Sequence, residues 1–122
     1  MTVVLVVEDT DSERDLIVSY LVEGGYSVIS AINGQEALKK IEGRKPDVVI
    51  TDLVMPGMSG LELCRNLKKN SETKDLPIVA CTSKNQELDK LWAMKQGIDV
   101  YLTKPFTKEA ILQALRSLNI GG

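Results

Sequence analysis

Five short apolar runs punctuate the chain: Val3–Val7, Tyr26–Ile32, Asp47–Leu53, Leu76–Ser83 and Ile98–Lys104. Each has the length of a strand, and between them the apolar residues recur at helical spacing. From Ser12 to Glu23, Leu16, Ile17, Tyr20 and Leu21 form an i, i+1, i+4, i+5 stripe. Thr10 and Glu13 ahead of it have the spacing of a capping box, and Gly24-Gly25 ends it. Asn33-Gly34 turns the chain into a second helix holding Ala37, Leu38 and Ile41, closed by Gly43 and Pro46. Leu61, Leu63, Cys64 and Leu67 mark a third; Leu88, Leu91 and Trp92 mark a fourth, ended by Gly97. The last follows Thr107 and carries Ile111, Ala114, Leu115 and Leu118.

A strand–helix alternation repeated five times predicts an α/β fold, a doubly wound (βα)5 domain with helices on both faces of a parallel sheet. Runs one and three lack polar alternation, which fits central strands covered on both sides. No linker or low-complexity segment interrupts residues 1–122, so one domain is expected. In such sheets the functional crevice lies beyond the carboxyl ends of the strands, at the switch in strand order.

Those ends are where the chemistry gathers. The first run leads into Glu8 and Asp9, the third carries Asp52, the fourth ends on Thr82 and Ser83, and the fifth on Lys104. Three carboxylates in one pocket exceed what one lysine can balance, since a like-charge pair at about 4 Å costs on the order of 4 kcal/mol at an effective dielectric near 20. A divalent cation would restore neutrality, and all-oxygen ligands with room for water suit Mg²⁺, with Mn²⁺ as a substitute. Helix capping is the competing explanation for Asp9 taken alone, but capping needs neither Lys104 nor Thr82 in the same hole. Asp52, held at the end of a rigid strand and cut off by Pro56 and glycines 57 and 60, is presented as a nucleophile for phosphoryl transfer would be.

Composition narrows the field. Formal net charge is −2 with the basic residues scattered, so neither nucleic acid nor an anionic membrane is an expected partner. The chain has no histidine, which removes Ser-His-Asp and Cys-His catalysis, histidine metal sites and internal phosphohistidine. Cys64 and Cys81 lack C-x-x-C spacing and read as buried apolar residues in a reducing, cytoplasmic setting. The apolar run at the start is too short for a signal peptide or a membrane span.

"VVED", "ITDLVMPGMSG", "ACTS" and "YLTKPF", in this order and spacing, resemble the response-regulator receiver domain, the CheY-like member of the flavodoxin-like folds. The resemblance covers essentially the whole chain and implies the strand order 2-1-3-4-5. It implies Asp52 as phosphoacceptor, with Glu8, Asp9, Asp52 and the Val54 backbone carbonyl as ligands of Mg²⁺. It further implies that Thr82 bonds a phosphoryl oxygen, Lys104 pairs with the phosphate, Lys104-Pro105 is cis, and Tyr101 occupies an aromatic switch position. Read without the family, Tyr101 is an ordinary strand aromatic. Glu8-Asp9 stands where Asp-Asp is commoner and Ser83 where Ala or Gly is usual. Val54 and Lys84 occupy positions that tune dephosphorylation.

The charge-rich fourth helix with its tryptophan and "KQG" looks like the PilH-type regulators of twitching motility and their cyanobacterial phototaxis counterparts. Lys90, Met94 and Tyr101 are interface candidates, whereas Trp92 reads first as core filler between helices. Only Asn119 to Gly122 follow the last helix, so output by protein–protein contact is expected. The favoured function is a phosphorylation-gated signal module without turnover-enzyme activity. Its phosphoryl donor is a histidine kinase or phosphotransfer domain, and its target a downstream protein such as a pilus motor. A phosphate sink or non-switching scaffold is the alternative. An aspartate-nucleophile phosphatase would want a second acid two residues after Asp52, where Val54 stands.

Overall fold

In a computed structural model, which describes residues 1–83, 86–118 and 120, the five βα units appear in sequence order. They are β1 (Val3–Val7), α1 (Asp11–Glu23), β2 (Ser27–Ala31), α2 (Gly34–Gly43) and β3 (Val48–Thr51), then α3 (Gly60–Lys69), β4 (Ile78–Thr82), α4 (Glu87–Lys95), β5 (Val100–Thr103) and α5 (Lys108–Ser117). Every strand pairing is parallel, and the sheet order is β2-β1-β3-β4-β5. Lys84, and Asn119, Gly121 and Gly122 in the tail, lie outside the described residues.

The hydrophobic pattern follows from this order. β1, β3 and β4 are buried at every position, while the edge strands β2 and β5 are mostly half-buried. Side chains alternate between two cores. Val4, Val6, Val48, Ile50, Val79 and Cys81 pack with Ile17 and Leu21 of α1 and Ile111 and Leu115 of α5. Leu5, Val7, Val49, Ile78 and Ala80 pack with α2 and α3, through residues such as Ala37, Ile41, Leu63 and Leu67, and with Ala93 of α4. Burying an aliphatic side chain of this kind contributes about 1.5–3 kcal/mol. Both cysteines are buried free thiols; desolvation pushes Cys64 up to about 12 and Cys81 up as well, so they serve as apolar filling.

Three helices start on a working cap: Asn33, Ser59 and Thr107 each accept a backbone N–H from three residues on. The strands' amino-terminal edge is also held by carboxylates, Asp47 on the amide of Val3 (2.7 Å) and Asp99 on that of Ile78 (2.8 Å). These acids brace the scaffold at the edge away from the crevice.

Sequence expectations in two helices, α4 and α1, are corrected. The apolar stripe of α4 faces solvent: Leu88 is 76% exposed, Leu91 57% and Trp92 47%, and the helix is anchored inward by Ala93. Trp92 is therefore no core filler; its ring lies 5.3 Å from the guanidinium carbon of Arg65 on α3. Periodicity shows that a helix has an apolar face, but not that this face turns inward; α4 packs on β5 with the small Ala93 buried instead. In α1 the predicted capping box does not form, as Thr10 makes no side-chain cap bond. Leu16, expected in the buried stripe, is half exposed.

Candidate functional site

Parallel pairing brings the tips of β1 and β3 side by side. The amide of Asp52 bonds the carbonyl of Val7 (3.1 Å), and the amide of Glu8 bonds Ala31 (3.0 Å). On the other side the amide of Lys104 bonds the carbonyl of Thr82 (2.8 Å), tying the end of β5 to that of β4. The strand ends thus deliver Glu8, Asp52, Thr82 and Lys104 to one stretch of sheet edge. The Lys104-Pro105 peptide is cis, as the resemblance implies.

The loop after β3 fixes the seat of Asp52. Thr51 Oγ1 donates to the Asp52 carbonyl (2.8 Å), and the Val54 amide donates to Asp52 Oδ1 (3.1 Å). Gly57 takes the turn at φ +75°, open to glycine. Gly60 starts α3 against the backbone of Asp52: a Cβ there would lie 1.9 Å from the Asp52 carbonyl oxygen. Any side chain at position 60 would push the loop off the strand tip.

Within the pocket, one ammonium serves three acids. Lys104 Nζ lies 2.7 Å from Glu8 Oε2, 2.9 Å from Asp52 Oδ2 and 3.2 Å from Glu13 Oε1. Glu8 is 1% exposed, and burial raises its pKa above the ordinary value; Asp52's charge adds to this, while the bond from Lys104 opposes it. Burial would lower Lys104, but hydrogen bonds to Glu8 and Asp52 and their charges overcome it and push the ammonium's pKa up. Arg14 does not relieve the crowding, since it donates to the Glu8 carbonyl (2.9 Å) and pairs with Asp11.

Among the described residues, Glu8, Asp9 and Asp52 form one group that offers three carboxylate oxygens within 4.8 Å of one another. Converged at that range, the three carboxylates need only close inward to share one small ion. The donors are hard oxygens, two buried or half-buried and one exposed, and the cluster carries excess negative charge. The residues fit a hard divalent cation.

The remaining expected residues fall around this centre. Thr82 is buried at the end of β4 and Tyr101 half-buried in β5. Tyr101 borders a 110 Å³ cavity with Leu53, Val54, Leu61, Asp89 and Trp92. Val54 is 56% exposed at the rim. Lys90 and Met94 are exposed on α4, away from the acids. A 390 Å³ groove opens on Asp52, Ser83 and Lys104, walled by Leu16, Ile17, Pro105 and Phe106. The sequence reading missed Glu13 and the tight contact at Gly60. For Glu13 the local signal pointed elsewhere, to the capping-box spacing with Thr10.

The model of the response regulator receiver domain family matches residues 4–116. The chain belongs to this family. The receiver domain is 37% identical over 121 residues to protein PilH of Pseudomonas aeruginosa, covering 99% of this chain and 100% of that protein. It is 37% identical over 115 residues to the phosphate regulon transcriptional regulatory protein PhoB of the same organism, matching 94% of this chain but 50% of PhoB. Among solved structures it resembles chemotaxis response regulator CheY4 of Vibrio cholerae, with a TM-score of 0.90 and 34% identity over 97% of this chain and 98% of that one. Receiver domains are signalling modules of two-component systems. No described helix is long and apolar enough to cross a membrane.

Proposed function

We propose that this receiver domain accepts a phosphoryl group on Asp52 from a phosphohistidine of a partner kinase or phosphotransfer domain. The carrying observation is Asp52 on the rim of an acidic pocket with Lys104 2.9 Å from its Oδ2. In the transfer, an Asp52 oxygen forms a bond to phosphorus as the P–N bond breaks, and the donor imidazole leaves with that electron pair. The product is an acyl phosphate. Lys104 is placed to exchange its carboxylate partners for a phosphoryl oxygen.

Glu8, Asp9, Asp52 and the carbonyl of Val54 would hold Mg²⁺, or Mn²⁺ in its place. Bound there, the cation neutralises charge on the transferring group. Glu8 and Asp9 keep hard oxygen donors converged; the loop locked by Gly60 and the Val54 amide keeps Asp52 oriented.

Phosphorylation biases a two-state face through Thr82 and Tyr101. A charge-assisted hydrogen bond from Thr82 to the phosphoryl group is worth roughly 1.5–3 kcal/mol, a bias of about tenfold to 150-fold. Tyr101 borders the 110 Å³ cavity that it shares with Leu53 and Val54 of the β3 loop and Trp92 and Ala93 of α4, so it links that end of the sheet to the helix. The output surface is α4, β5 and α5, where Lys90 and Met94 stand beside the exposed Leu88, Leu91 and Trp92. The target is a downstream protein, and similarity to PilH along the full chain favours pilus-based motility or taxis in the cytoplasm.

The test is transfer of labelled phosphate from candidate histidine kinases in saturating Mg²⁺, with Asp52→Asn as control. Label on the wild type and none on the variant is expected. Absence of transfer from every kinase would overturn the reading. Thr82→Ala should still accept label but lose the phosphorylation-dependent change at Tyr101 and α4.

A further inference from the structure

Lys104 has a third carboxylate partner that phosphoryl transfer does not call for. Glu13 Oε1 lies 3.2 Å from Lys104 Nζ. The spacing of Thr10 and Glu13 suits a capping box, in which Glu13 would turn back onto the backbone amide of Thr10. The structure does otherwise: the Thr10 amide is directed at Glu8 Oε1 (3.4 Å), and Glu13 reaches outward to Lys104. Its local role has been given up for a tertiary one.

Glu13 is also the most exposed of the three acids on Lys104. It lines the groove that leads to Asp52, and apart from Lys104 at the end the walls beside it are largely apolar, built from Leu16, Ile17, Pro105 and Phe106. A donor that reaches Asp52 through this groove shares it with the Glu13 carboxylate.

We infer that Glu13 is a donor-selectivity residue: an anionic gate, latched on Lys104, that disfavours small, doubly charged phosphodonors. This rests on Asp52 being the phosphoacceptor. To take a phosphoryl oxygen Lys104 must release one of its three carboxylates, and Glu13, the longest contact and the most exposed of them, is the first to yield; a small dianion offers nothing to pair with it. Because one ammonium bridges them, the oxygens of Glu13 and Asp52 are no more than about 6 Å apart. At that range a unit charge changes the encounter with another by about threefold in water-like surroundings, and by tenfold or more where protein excludes water. A protein donor differs in kind, since its surface can cover Leu16, Pro105 and Phe106 and set a basic side chain against Glu13.

The test compares two small donors of different charge on the full chain in saturating Mg²⁺. Acetyl phosphate is a dianion near neutral pH, whereas phosphoramidate, with its nitrogen protonated, carries one net negative charge. Glu13→Gln should raise the second-order rate of Asp52 phosphorylation by acetyl phosphate about three- to tenfold at low ionic strength. It should raise the phosphoramidate rate less, and both gains should shrink toward one near 1 M salt, where the screening length falls to about 3 Å. Glu13→Asp, which keeps the charge, should stay near wild type with both donors. Equal acetyl phosphate rates in Gln variant and wild type would overturn the inference and leave Asp52's role intact. So would a gain equal for both donors and indifferent to salt, which marks a loosened groove rather than a charge effect. Failure of Asp52 to accept phosphate from either donor, in wild type and variant alike, would sink the underlying reading and the gate with it.

Discussion

Lys104 Nζ sits 2.9 Å from Asp52 Oδ2, joining the tip of β5 to the tip of β3 across the strand between them. The contact is both a structural tie and a reserve of positive charge, and its pH dependence has a definite sign. Desolvation would lower the lysine's pKa, but Glu8 and Asp52 raise it above the ordinary 10.5. A lysine raised on folding stabilises fully below its unfolded pKa, and that contribution disappears as pH climbs through the folded value. Near neutral pH, Lys104→Met should cost about 3 kcal/mol in the metal-free protein, because it strands Glu8 and Asp52. Denaturant unfolding at about pH 8 and about pH 11 should show a steeper loss in the wild type than in the variant. The thiol of Cys64, raised from 9.0 to about 12, adds an alkaline loss common to both proteins.

A pocket with this excess of carboxylates should be strained without a cation. Mg²⁺ at about a hundredfold excess over its Kd should add about 2.7 kcal/mol and roughly 10 °C to the unfolding midpoint. Glu8→Gln removes a buried charge whose pKa burial already raises, so the metal-free midpoint should stay at or above wild type while the response to Mg²⁺ is blunted. A full Mg²⁺ shift in that variant, followed by differential scanning calorimetry, would contradict the assignment of the cation to this cluster.

Gly60 makes a sharper structural prediction. Its α-carbon approaches the Asp52 carbonyl so closely that a methyl group cannot be fitted without moving backbone. Gly60→Ala should destabilise the fold by more than about 3 kcal/mol and lower phosphorylation of the molecules that remain folded. Gly43→Ala, where an added Cβ meets nothing within 4 Å, is the matched control and should unfold like the wild type.

The outward stripe of α4 should matter little to stability. Trp92→Ala should cost no more than about 1 kcal/mol, the worth of an exposed stack on Arg65. Leu67→Ala, in the packed core, should cost about 2–5 kcal/mol. If Trp92→Ala proves as costly as Leu67→Ala, α4 packs differently from the arrangement described here.

Much of the fold was legible because buried parallel strands leave uninterrupted apolar runs, and the residue after each run lands at the carboxyl edge. That is how Glu8, Asp52, Thr82 and Lys104 could be grouped before any geometry was known. What escaped depended on choices between neighbours. Glu13 had a local partner in the capping box and a distant one in Lys104, and only the folded arrangement decides between them. The α4 stripe had the right period for a core face, yet Ala93 takes the inward position and leaves Leu88, Leu91 and Trp92 to solvent. Gly60 could be recognised as a turn signal, but not as a residue pressed against the carbonyl of Asp52.

The decisive question is which side chain takes the phosphoryl group, and under what condition. Treatment with phosphoramidate, reductive trapping of the acyl phosphate with borohydride and peptide mapping by mass spectrometry reads both at once. The account predicts modification at Asp52 alone, present with Mg²⁺, lost with chelator and absent in Asp52→Asn. Modification spread over Glu8, Asp9 and Glu13, or undiminished by chelator, would contradict it.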